Sequence, residues 1–192
     1  MDNVATVPKV QRRQRESILV GDVERLPAPL LEHGEYQVRQ MTLTRQKLAA
    51  LWKELLKYRT LFSDLTRGDF VNFVQYVTSE DTLWLEIWRG SSLVGIATFE
   101  ELHKVIDAES HVLFFDRELA NKVPVCKAII AWLFANFPLQ RLSTQLPSIY
   151  HAPIRLTMDI GFVREGRKRQ AVLISGRWVD VDIFGIVRSE VK

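Results

Sequence analysis

Cysteine is nearly missing from this chain: Cys126 is the only one in 192 residues. A lone thiol makes neither an internal disulfide nor a cysteine-rich zinc site, so the fold must stand on an apolar core. Its surroundings, "VPVCKAIIAWLF", are an apolar helical run, which suits a buried inert thiol rather than a nucleophile. A reducing compartment, with the cytoplasm as default, fits that usage. Long apolar runs are missing too. Nothing approaches the roughly 18 uninterrupted apolar residues of a membrane span, and no apolar stretch follows a basic start as in a secretory signal. His-x-x-x-His, Gly-x-Ser-x-Gly and Walker patterns do not occur, and no metal is expected.

What is present is a core-forming composition. Apolar residues make up 47% and charged residues 26%, and five Trp and ten Phe supply bulk for one domain, or one domain with an appendage. The formal charge of +3 is mild, and part of it sits in "KVQRRQRE", Lys9 to Glu16. That stretch reads as a solvated arm, or as an arm that docks on a protein partner or a polyanion. "REGRKRQ" is basic but short and suits a protected strand edge, so nucleic-acid binding is not expected.

Residues 1–34 read as an appendage without regular structure, because "PAPLLEHG" holds two prolines and a glycine. The domain is expected over 35–192. "EYQVRQM" alternates as a short strand, and "TLTRQKLAALWKELLKY" carries a helical stripe of Leu48, Leu51, Trp52, Leu55 and Leu56, with Thr42 or Thr44 as N-cap. A second helix is expected near "GDFVNFVQYVTSE", after the unusually apolar connector "RTLFSDLTR". "DTLWLEIWRG" and "SLVGIATF" form a hairpin about Gly90-Ser91. "SHVLFFD" reads as a strand covered on both faces, and the helix "VPVCKAIIAWLFANF" follows with Pro124 in its first turn. The strand "QRLSTQLP" comes next. "APIRLTMDIG" is a short helix that starts at Pro153 and ends on Gly161, and two last strands meet at Ser175-Gly176. The order β, α, α, β, β, β, α, β, α, β, β makes the class α+β, or mixed α/β.

That order, with three local stretches, resembles the GNAT superfamily of acetyl-CoA-dependent N-acetyltransferases over about residues 35–190. The nearest likeness is to the branch that acetylates ribosomal-protein N-termini. In that branch a short helix ends in Gly-Phe with Glu-Gly soon after, matched here by Gly161, Phe162, Glu165 and Gly166. The ending, with Gly176, Asp180 and Glu190, and the helix-then-strand "AIIAWLFANFPLQRLSTQLP" carry the rest. The resemblance implies a mixed sheet of six or seven strands whose only parallel pair, "SHVLFFD" and "RLSTQLP", splays at one end. The pantetheine arm of acetyl-CoA would lie in that gap, with its pyrophosphate on amides at the start of the next helix. Phe114, Phe115, Arg117, Ala120, Lys122 and Val123 occupy the matching cofactor segment.

The chain departs from the family there. Its loop "DRELANKVPV" contains no glycine: Ala120 and Lys122 take the places of two. The family's tyrosine, four residues before Gly161, is here Thr157, and Tyr150 stands where an asparagine is common. Tyr150 can offer a phenol from another direction. An amine-bearing acceptor needs a base, and Glu109 and His111, entering the central strand, are the candidates, with Glu86 behind them. A second expectation stays open beside the enzyme: a non-catalytic GNAT-like structural or adaptor protein of a larger assembly, such as a phage particle. It would then belong to a virion, held by its arm.

Overall fold

The computed structural model describes residues 28–58, 69–102, 106–115, 119 and 122–191. The connector 59–67 and the arm up to residue 27 lie outside them. The strands are β1 (Leu31–His33), β2 (Tyr36–Gln40), β3 (Leu83–Arg89), β4 (Ser92–Glu100), β5 (Asp107–Phe114), β6 (Arg141–Pro147), β7 (Val163–Ile174) and β8 (Arg177–Val187). The helices are α1 (Arg45–Leu55), α2 (Phe70–Val77), α3 (Lys122–Asn136) and α4 (His151–Ile160). All eight strands join one sheet in the order β1-β2-β3-β4-β5-β6-β8-β7. One strand more than expected is present, because Leu31–His33 folds back on β2 about Gly34, whose φ of 57 suits the tight turn. The sheet therefore begins inside the stretch that the prolines marked as irregular.

The α+β class expected from the sequence is the one observed. Every described strand pair is antiparallel except β5 with β6, the pair joined by α3. α1 starts where Thr44 accepts from the Lys47 amide, and α2 where Asp69 accepts from Val71 and Asn72. Gly161 ends α4 at φ 120, and its amide reaches back to the Met158 carbonyl.

Alternation along the strands divides the core between the two faces of the sheet. One face buries Leu85, Ala97, Ala108, Leu142 and Phe184 with Val125, Ile129 and Leu133 of α3. The other buries Trp84 and Ile96 beneath Leu48, Leu51 and Leu55 of α1 and Phe73 and Val77 of α2. Cys126 is buried in the first cluster, and burial pushes its thiol up to about 12, so the inert reading holds. On the second face Glu86 is 1% exposed and pairs with Lys47 at 2.9 Å and with the Trp88 indole at 3.1 Å. That pairing fixes it as a structural ion pair under α1.

Gly95 lies opposite Phe114 at the end of the β4–β5 ladder. A Cβ there would come within 2.8 Å of the Leu113 carbonyl oxygen and 3.0 Å of the Phe114 ring. Backbone cannot swing aside as a side-chain tip can. Gly95→Ala should therefore cost about 1–3 kcal/mol in chemical denaturation by forcing β5 away from β4. An unchanged denaturation midpoint would show that β5 yields freely.

Candidate functional site

The site grows from the way β5 and β6 part. They pair only at Asp107–Arg141, Ala108–Leu142 and Glu109–Ser143. Beyond that point β5 stays on β4 as far as Phe114 opposite Gly95, while β6 stays on β8 as far as Pro147 opposite Val181. Each strand follows a different neighbour, so a gap opens in the sheet just past Glu109. The Ser110 hydroxyl, donating to the Ser143 carbonyl at 3.0 Å, sits at its apex.

Glu109 and His111 project from one face of β5 beside this gap. The register sets Glu100 of β4 opposite Glu109, and Thr98 opposite His111. The Nε2 of His111 lies 3.4 Å from Oε1 of Glu100 and 3.9 Å from Oε1 of Glu109. From α2 the Tyr76 hydroxyl donates to the same Glu100 oxygen. Burial works to raise the Glu100 carboxyl, but the contacts with His111 and Tyr76 outweigh it, and the group stays below its usual range. Burial first, then the adjoining Glu100 carboxylate, drive the Tyr76 phenol far above its usual value, so it remains a donor.

An open cleft of ≈ 380 Å³ continues from Glu109, lined among others by Glu101, Asp107, Gln145 and Lys168. The Gln145 amide donates to Oε1 of Glu109 at 3.3 Å, and the Lys168 ammonium donates to the Gln145 carbonyl oxygen at 2.7 Å. Arg141 ties the floor together, 3.2 Å from Asp107 and 2.7 Å from Glu165, and the Ser143 hydroxyl donates to Asp107 at 2.7 Å. Asp107 is neutralised by Arg141, whereas Glu109 meets a neutral amide and an imidazole among the described residues. An open carboxylate beside an imidazole, at the mouth of a gap, can take a proton from a group brought to it.

The structure brings together two of the three expected catalytic residues, Glu109 and His111. Tyr150 is elsewhere, at the N-cap of α4 with its amide on the Pro147 carbonyl, and it does not line the cleft. Of the expected cofactor segment, Arg117 and Ala120 lie outside the described residues. Phe114 is buried in the core, Phe115 donates its amide to Val94, and the Lys122 ammonium sits 5.7 Å from the centre of the Phe114 ring. Lys122 and Val123 form the first turn of α3. The strand β5 also starts at Asp107, earlier than the apolar run suggested, and its His111 and Val112 are exposed rather than covered on both faces. Asp182 is buried and clasped by Arg164 and by Arg167, whose Nε is 2.6 Å away.

Sequence reasoning missed Glu100, Tyr76 and Gln145. Running the "SLVGIATF" strand one residue further puts Glu100 opposite Glu109 and would have flagged the first. Tyr76 stands off the Phe73–Val77 stripe that defines the buried face of α2, and only packing shows what it meets.

No family model and no curated protein sequence matches this chain. Solved structures do. Spermidine N-acetyltransferase from Vibrio cholerae, in complex with CoA and spermine, matches with a TM-score of 0.68 at 16% identity, over 81% of this chain and 97% of that one. This chain has the GNAT fold. A dodecameric structure of the Vibrio cholerae enzyme in an intermediate state gives 0.65 at 16% identity, covering 81% of this chain and 95% of that one. A probable acetyltransferase gives 0.62 at 17%, covering 84% and 96%. The likeness runs along nearly the whole of those chains. No described helix is long and apolar enough to cross a membrane.

Proposed function

We propose that this chain is an acyl-CoA-dependent N-acyltransferase acting on a primary amine, with Glu109 as its base. The observation that carries the proposal is the parting of β5 from β6 just past Glu109. It leaves an open sheet edge beside a carboxylate that has no arginine or lysine partner among the described residues. Acetyl-CoA, when bound, supplies an acyl group activated as a thioester. The chain's own work is to hold the acceptor in the cleft and to remove one proton from its ammonium group, since only a neutral amine is a nucleophile. Phe114, Phe115, Lys122 and Val123 would border the cofactor, with Arg117 and Ala120 between them in sequence.

Two acceptor classes have support. The Gly161-Phe162 and Glu165-Gly166 pattern favours a protein N-terminus, as in the ribosomal-protein branch. The solved GNAT structures include proteins named for spermidine, and the cleft's Glu101 and Glu109 suit a cationic amine. Both are primary amines, and that is the class proposed.

A second reading, a non-catalytic part of an assembly such as a phage particle, is favoured by one observation. Thr157, where many GNAT enzymes carry a tyrosine that protonates the departing thiolate, is 9% exposed and offers no such acid. On that reading the chain ahead of β1 would be the arm that docks on a protein partner. Calorimetric titration of acetyl-CoA into the full chain separates the two, followed by acyl transfer to spermidine and to short peptides. Heat of binding with transfer to either amine is expected. No heat and no transfer would leave the assembly reading.

A further inference from the structure

We propose that Gln145 and Lys168 are positioning residues for Glu109. Lys168 fixes which way the Gln145 amide points, and Gln145 engages one oxygen of Glu109, leaving the other for the acceptor amine. The inference rests on the N-acyltransferase reading of the same site.

The placement comes from the parting of the strands. Ser143 is the last residue of β6 to pair with β5, opposite Glu109. Gln145 lies two residues further on, so its side chain leaves the same face of the sheet. Its amide spans the mouth of the gap, where the backbones no longer pair, and donates to Oε1 of Glu109 at 3.3 Å. Lys168 arrives from β7, across β8. It stands opposite Val181 and Gln145 stands opposite Ile183, so the two meet over neighbouring positions of one face of β8. There the Lys168 ammonium donates to the Gln145 carbonyl oxygen at 2.7 Å.

An amide side chain can present either end to a neighbour, and here both neighbours choose the same end. An ammonium has only donors, so it must meet the amide oxygen. A carboxylate has only acceptors, so it must meet the amide nitrogen. Reversing the amide would set donor against donor at Lys168 and acceptor against acceptor at Glu109. The orientation is thus fixed from both sides.

The contacts on Glu109 are one-sided. The Gln145 nitrogen and, further off, the His111 Nε2 both approach Oε1, and Oε2 meets no partner among the described residues. Oε1 can be held while Oε2 works. In the transfer one N–H bond of the acceptor's ammonium breaks, an O–H bond forms at Oε2, and that proton later leaves to water. A neutral amide suits this task better than Lys168 would. An ammonium bonded directly to Glu109 would compete with the acceptor's ammonium for the carboxylate, whereas the amide orients it and adds no charge.

Acyl transfer from acetyl-CoA to spermidine and to short peptides reads the arrangement. Gln145→Met keeps an unbranched side chain of similar length but has no N–H. It should lower kcat about fivefold or more, with the amine KM changed less than about twofold, since a carboxylate left to turn slows the step and not binding. Lys168→Met, at an exposed position that the fold tolerates, should lower kcat about twofold to threefold. Because Lys168 acts through Gln145, the double variant should be no slower than Gln145→Met alone. A Lys168→Met loss that multiplies in full onto Gln145→Met would show the lysine acting on the substrates directly and would overturn the inference. So would wild-type kcat in Gln145→Met, with the N-acyltransferase reading left standing. A wild-type protein that transfers no acyl group would overturn that reading and the inference with it, so the two failures look different.

Discussion

Arg188→Ala is expected to destabilise the fold by about 3 kcal/mol or more, measured by chemical denaturation. Arg188 begins the short turn that follows β8, yet its guanidinium works at the far end of α3. Its Nε donates to the Leu139 carbonyl at 2.7 Å, Nη1 to Phe134 at 2.6 Å and Nη2 to Phe137 at 2.6 Å. The charge also stands 5.3 Å from the centre of the Phe134 ring. The last carbonyls of a helix lack partners within it and carry the negative end of its dipole. α3 has no basic residue in its own last turn, so this remote arginine supplies both the donors and the charge. Leu139 is fully buried and Phe137 nearly so, so truncation leaves their carbonyls without a donor and largely out of reach of water. Arg188→Lys should recover only part of the loss, because a point-like ammonium cannot serve three carbonyls spread along the chain as the planar fork does. A loss below about 1 kcal/mol for the alanine variant would mean that water replaces the fork.

Glu109→Gln is expected to lower kcat/KM for acyl transfer by about 100-fold or more near pH 7, within the range that one general base contributes. The replacement keeps shape and volume on β5 and still offers an oxygen to the Gln145 amide, so melting and calorimetric binding of acetyl-CoA should stay near wild type. What goes is the capacity to accept a proton. Raising the pH should recover part of the rate, because more of the acceptor is then already neutral. Wild-type turnover in Glu109→Gln would pass the base to His111 or to solvent and remove the reason for reading this cleft as catalytic.

Much of the fold was legible because it rests on local rules. The stripe of Leu48, Leu51 and Leu55, the cap at Thr44, the stop at Gly161 and the turn at Ser175-Gly176 are each written within a few residues. So is the strand–helix–strand order that makes β5 and β6 the parallel pair. Glu109 and His111 could be picked out because the GNAT resemblance implies a base where the chain enters the central strand. The hairpin strand Leu31–His33 was not legible: the prolines before it argued for a loop, and the pairing that offsets them comes from β2.

The sequence by itself thus determined the helices and the strands after β1 and their order, and it named two of the groups at the site, Glu109 and His111. Tertiary structure alone decided what those groups do together. Cross-strand register set Glu100 against Glu109, and helix packing brought the Tyr76 hydroxyl onto Glu100. The closing turn carried Arg188 onto carbonyls 49 to 54 residues away. The physical reason is range. Propensity, capping and periodicity act within a turn or two, and a short window of sequence contains them. Charge pairing and hydrogen bonding act across a few ångströms of space, between residues that the chain sets together only after the sheet has formed.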